Sequence, residues 1–212
     1  MAPKIKAAGY IPLVQSHFPW IWTENFFSRH NLLMTDGNNG YDAVPTKTLF
    51  AETDAFVMHW KKVKEWYESG LYGYKGRAWG DNQAPFIAGE AAFWFGSAAS
   101  FGGMKGVVPN FSVNHIPYWD SVTKGKEYPT FIGGAANWIL NGHTEEEYKG
   151  LAKFIEFMSS PEMDLYYHNM TGYSAVTKGG IELAETINFY RASPYHKAVG
   201  EQLSLEGSTI PG

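Results

Sequence analysis

The chain has 212 residues, with eight Trp, thirteen Tyr, fourteen Phe, no Cys and a formal net charge of −4. The missing cysteine excludes thiol catalysis and zinc–thiolate sites, and Lys and Arg in short scattered groups exclude the basic stripe that tracks a nucleic acid. A chain of this length buries a core without disulfide or metal staples, and no apolar run approaches the ~20 residues of a membrane span.

The opening residues, Met1 to Lys6, lack the apolar stretch of a signal peptide, and Lys4 to Gly9 reads as the end of a helix. Trp20 and Trp22 follow Pro19 two apart. In an extended segment that spacing puts both rings on one face, suited to stacking on a polyol and equally to an apolar rim. Asp36 to Gly40 has turn chemistry; read as a calcium loop, its twelfth position is Lys47 where a bidentate Glu is needed, so no calcium is expected. From Thr53 to Gly70, Phe56, Val57, Trp60, Val63, Trp66 and Tyr67 recur at helical spacing, with Thr53 or Asp54 as cap and Gly70 as stop. Lys61, Lys62 and Lys64 fall on its solvated face.

Short apolar runs read as strands at Ala91 to Phe95, Ser112 to Ile116 and Ala135 to Leu140. A helix starts at Thr144, with Glu147 reaching back to complete a capping box, and its stripe is Tyr148, Leu151, Phe154, Ile155 and Met158. Ser160 and Pro161 start the next helix, which Gly172 ends. Strands alternating with helices predict an α/β domain whose sheet is covered by helices, and with no repeat or linker residues 1–212 read as one domain.

Three places invite a ligand. Phe95-Gly-Ser97-Ala-Ala-Ser100 leaves a strand and opens a short helix, presenting Ser97 and free amides to an anion or polyol, or packing tightly through its small residues. Gly133-Gly134 admits close approach of a neighbouring element or of ligand oxygens. Tyr173, after the helix-ending Gly172, sits in a loop where a phenol either points into a cleft or packs its own turn.

The seven histidines show no metal-ligand spacing, so metals and cofactors are not expected. No nucleotide phosphate loop or Gly-x-Ser-x-Gly is present. A glycosidase shares the aromatic richness; what separates it from a binder is a pair of carboxylates converging in the cleft, for which Glu24, Glu90 and Asp120 are candidates.

Four stretches together resemble the family 1 extracellular solute-binding proteins, in their glycerol-phosphate branch. They are Trp20-Ile-Trp-Thr-Glu-Asn-Phe26 with Asn38-Asn-Gly-Tyr-Asp42; Phe86-Ile-Ala-Gly-Glu-Ala-Ala-Phe93 leading to Ser97; Phe131-Ile-Gly-Gly-Ala-Ala-Asn-Trp138; and Phe154-Ile-Glu-Phe-Met-Ser-Ser-Pro-Glu162 with Thr171-Gly-Tyr173. The resemblance implies the C-terminal lobe of a two-lobe, type II periplasmic-binding-protein fold with a mixed sheet, which captures a small molecule for an ABC permease and is not an enzyme. It implies that Ser97, the Gly134 amide and Tyr173 hold the polar head of a glycerol phosphate or a sugar while Trp20 lines the cleft. His17 stands where the family carries a second tryptophan. The resemblance also places a first lobe and an arginine of the site outside these residues, makes the intact protein periplasmic, and leaves an isolated lobe prone to self-association.

Overall fold

In the computed structural model, residues 1–207 are described; the last five residues of the expected domain lie outside them. Three parallel strands form a sheet of order β2-β1-β3, with β1 at Ile11–Gln15, β2 at Tyr72–Gly73 and β3 at Ala91–Phe95. Leu13 pairs with Tyr72 on one side and with Phe93 on the other. The sheet among the described residues is therefore parallel and not mixed. All connections between its strands are crossovers that carry helices, as parallel pairing requires.

Of the three expected strands only Ala91 to Phe95 forms. Residues 112–116 join no ladder, and at Ile116 side chains take the backbone groups: its N–H donates to Gln202 Oε1 and its carbonyl accepts from the guanidinium of Arg29. Residues 135–140 are exposed and have no strand beside them. The central strand β1 was not foreseen, since Pro12 carries no N–H and marks a segment as an edge. Here the ladder bonds pass on either side of it, from the Ile11 N–H to the Glu90 carbonyl and from the Ser16 N–H to the Phe95 carbonyl.

The helix Asp54–Glu68 covers the sheet, burying Phe56, His59 and Val63. Thr53 occupies its cap position, but its hydroxyl donates to the Leu49 carbonyl instead. Two aromatic clusters form the core. Ile21, Trp22, Val63 and Tyr72 make one, and Phe26, Phe27 and Phe56 the other, with Trp60 packed against both. Trp22, Tyr72, Phe26, Phe27 and Phe56 are the rings buried in these clusters, and each large aromatic that leaves water contributes ~1.5–3 kcal/mol.

Helix Glu145–Met158 has the expected capping box: the Glu147 N–H donates to Thr144 Oγ1 and the Thr144 N–H to Glu147 Oε2. Its expected buried stripe is only half-covered, and Phe154 is 54% exposed. Helix Pro161–Thr171 spans the expected residues, with Gly172 closing it in the left-handed region at φ 86°, but the Ser160 hydroxyl at its cap position donates to the Phe157 carbonyl instead. Asp36 acts as an internal acceptor, taking the N–H groups of Thr46 and Lys47 and the Thr46 hydroxyl, which closes the 36–47 loop on itself.

Arg29 joins these parts. It is 1% exposed and donates to the carbonyls of Ile116 and Tyr128 and to Glu127 Oε1, while His115 Nδ1 lies 2.6 Å from the same carboxylate oxygen. The guanidinium fork satisfies three acceptors from two loops at once, which a lysine cannot do. Those loops form part of a cleft wall.

Candidate functional site

Four segments bring their predicted residues to one broad cleft of about 1780 Å³, lined among others by Trp20, Ser97, Gly134 and Tyr173. The first segment leaves β1. His17 turns the chain in the left-handed region at φ 54°, Pro19 follows, and Trp20–Glu24 form a wide helical turn. In this turn Trp20 and Trp22 do not share a face, contrary to the extended reading. Trp22 is buried at 3% exposure, and Trp20 is left to the cleft. Asn25 fixes the turn: its amide donates to the Trp20 carbonyl and its Oδ1 accepts from the Phe131 N–H. One buried side chain thereby ties the Trp20 turn to the Gly133-Gly134 segment. Edge-on ring contacts place His17 beside Trp20 and Trp79, with centroids 5.7 and 4.3 Å apart.

The second segment leaves β3. Trp94 folds over Gly96, where a Cβ would collide with the indole, and its Nε1–H donates to Ser16 Oγ, which itself donates to the Trp79 carbonyl. Ser97 then caps a short turn, accepting from the Ala99 N–H at 3.3 Å as expected of a serine at a helix start. In the third segment the two glycines divide their roles. A Cβ on Gly133 would stand 2.7 Å from the Trp20 ring, whereas one on Gly134 meets nothing within 4 Å. Gly133 answers to a neighbouring element, and Gly134 is the residue open to the cleft.

The fourth segment is the loop after helix Pro161–Thr171. Gly172 packs so closely on the Ala98 carbonyl and on Phe101 that no side chain fits, and Gly102 approaches the Met170 carbonyl in the same way. The Ser97 turn and the Tyr173 loop are therefore locked together backbone to backbone. Asp164, buried, accepts from the N–H groups of Val176 and Thr177 and from the Thr177 hydroxyl.

The cleft is lined in addition by Trp94, Phe111, His115, Tyr190 and Lys197, none of which was foreseen. Only Trp94 carried a signal, its place on the strand before Ser97. Burial raises the pKa of the Tyr190 phenol, with smaller contributions from Glu185 and Asp164, so this group stays protonated as a donor. Glu24, Glu90 and Asp120 are absent from the cleft lining. Asp164, Glu185 and Glu201 do line it; Asp164 is spent on the loop backbone and Glu201 pairs with Lys197 at 3.3 Å. Among the described residues no three His, Asp or Glu gather as a metal site, and no helix is long and apolar enough to cross a membrane.

A parallel sheet whose strand ends lead into a broad, partly aromatic cleft is a place where small molecules bind. The chain belongs to the bacterial extracellular solute-binding proteins, whose family model matches residues 4–189. Among curated proteins it is similar to the sn-glycerol-3-phosphate-binding periplasmic protein UgpB of Rhizobium meliloti (strain 1021), at 30% identity over 195 residues, 91% of this chain and 44% of that protein. It is likewise similar to UgpB of Escherichia coli (strain K12), at 31% identity with the same coverage. UgpB of Shigella flexneri serotype 5b (strain 8401) matches at 31% over 193 residues, 90% of this chain and 43% of the relative. The chain spans less than half the length of these relatives.

Proposed function

We propose that this chain is one lobe of a two-lobe, type II periplasmic solute-binding protein, the C-terminal one, and that its cleft wall captures sn-glycerol 3-phosphate or a glycerophosphodiester for an ABC permease without performing chemistry on it. One observation carries this reading: Trp20, Ser97, Gly134 and Tyr173, from four separate segments, line a single cleft. A hydroxyl, a free amide and a phenol are neutral donors that suit phosphate or hydroxyl oxygens, and an indole face suits a glycerol backbone. The names of the similar proteins support the glycerol-phosphate ligand over a sugar. The intact gene product, titrated calorimetrically with sn-glycerol 3-phosphate, glycerophosphocholine and maltose, is expected to bind a phosphate-bearing ligand. Heat from maltose with none from either phosphate overturns the ligand assignment, and turnover of any of the three overturns the non-catalytic role.

A second reading, self-association of this lobe, is favoured by a different observation. Trp138, Leu140, Phe154 and Phe157 are all exposed, at 85%, 70%, 54% and 56%.

A further inference from the structure

The loop that carries Tyr173 is fixed at both ends and at its centre by different means. At the start, Gly172 in the left-handed region seats against the Ala98 carbonyl, and the Tyr173 N–H donates to Thr171 Oγ1. At the far end Asp164 takes the amides of Val176 and Thr177. Between them the Tyr173 carbonyl has one partner, the Nδ1 of His168. A carbonyl only accepts, so Nδ1 carries the proton and the imidazole is the donor.

His168 is built for that contact. It projects from helix Pro161–Thr171, is among the fully buried side chains, and is wedged between Phe189 and His196, whose ring centroids lie 5.3 and 4.7 Å away. A ring so enclosed has no room to swing off the carbonyl. Burial lowers its pKa, which favours the neutral ring. Among the described residues the Tyr173 carbonyl is its ring's hydrogen-bond partner and its Nε2 has none, while the nearby Asp164 carboxylate acts on the ring through charge. A phenylalanine would fill the same space without leaving a nitrogen unpartnered, so the polar ring is explained by the Tyr173 carbonyl.

We propose that His168 is the positioning residue for Tyr173, its Nδ1–H holding the loop carbonyl so that the phenol stays on the cleft wall beside the turn that bears Ser97. The effect on ligand rests on the glycerol-phosphate reading of the site, whereas the effect on the loop does not. Two variants separate donor from bulk. In His168→Asn the amide nitrogen falls near the Nδ1 position and keeps the donor, and in His168→Leu the donor is lost.

With the intact protein and sn-glycerol 3-phosphate as probe, H168L is expected to weaken binding about tenfold, the loss of one well-formed hydrogen bond, and H168N to recover most of it. Hydrogen exchange on residues 173–177 is read in the same samples without ligand, where H168L is expected to exchange faster and H168N to stay near wild type. Should H168L not fold, His168→Gln, whose amide nitrogen sits at the Nε2 position, takes its place with the same expectation. Wild-type affinity and exchange in H168L, or equal losses in H168L and H168N, overturn the proposal. If the wild-type protein binds no glycerol phosphate, the ligand reading falls and the exchange data alone decide the role of His168.

Discussion

Gly133 and Gly134 are neighbours with opposite surroundings, and the contrast makes a test at the scale of single residues. A methyl added at Gly133 drives into the Trp20 ring 2.7 Å away, while one at Gly134 enters open space. Gly133→Ala is expected to cost about 1–3 kcal/mol in urea unfolding, as overpacking does, because the Asn25 amide pins the Trp20 backbone and so limits how far the residue can retreat. Gly134→Ala is expected to stay within about 0.5 kcal/mol of wild type and to weaken ligand binding. Equal stability losses in the two variants contradict this division. From sequence the pair could be seen to invite close approach, but whether a ring or a ligand made that approach depended on Trp20, more than 100 positions away in the chain. Ser97 and Tyr173 were legible for a local reason, a serine after a strand and a tyrosine after a helix-ending glycine. His168 and Asp164 were not, since their partners lie across a loop that only the fold closes.

At the scale of elements, helices were more legible than strands. Caps and periodicity are local, and Thr144 with Glu147, Pro161 and Gly172 act where they were expected. Strand formation needs a partner, which residues 112–116 and 135–140 lack, and Pro12 disguised the one strand that has partners on both sides. The helix Asp54–Glu68 hides a further feature in His59. Trp119 bridges it to His30, donating its backbone N–H to His30 Nε2 at 2.7 Å and its indole N–H to His59 Nδ1 at 3.0 Å. Burial pushes both imidazoles down to about 4; Arg29 lowers His30 further while its bond to the Phe26 carbonyl opposes the shift, and His30 lowers His59. In the unfolded chain both titrate near 6.5, so on acidification the unfolded state takes up protons first. Their stability contribution is complete above pH 6.5 and is lost as the pH falls toward 4, at up to ~1.4 kcal/mol per pH unit for each ring. The melting temperature is expected to drop across that window, with both imidazoles still neutral by NMR at pH 5.5. Resonances of His30 or His59 that titrate near 6.5 in the folded protein rule this out.

For the whole molecule, the distribution of aromatic rings decides the surface chemistry. Two clusters bury Trp22, Tyr72, Phe26, Phe27 and Phe56, Trp20 and Trp94 line the cleft, and others, with Trp138, Phe154 and Phe157 among them, stay outside. The Tyr148 hydroxyl on helix Glu145–Met158 donates to the Leu140 carbonyl, which sets the end of the exposed 132–140 segment against the start of that helix, while Phe154 and Phe157 lie exposed farther along it. Exposed large apolar side chains are what another protein surface covers, and a second copy of the chain supplies a self-complementary one. Ile155 and Met158 of that helix's half-covered stripe line the cleft instead. The chain of residues 1–212 is expected to elute from a size-exclusion column with a light-scattering mass that rises with concentration. Trp138→Ser combined with Leu140→Ser is expected to return it to a monomer, with little loss of stability because both side chains already face solvent. A wild-type chain that stays monomeric at the highest attainable concentration contradicts self-association and leaves the face to a different partner. A double variant that still associates moves the contact away from Trp138 and Leu140.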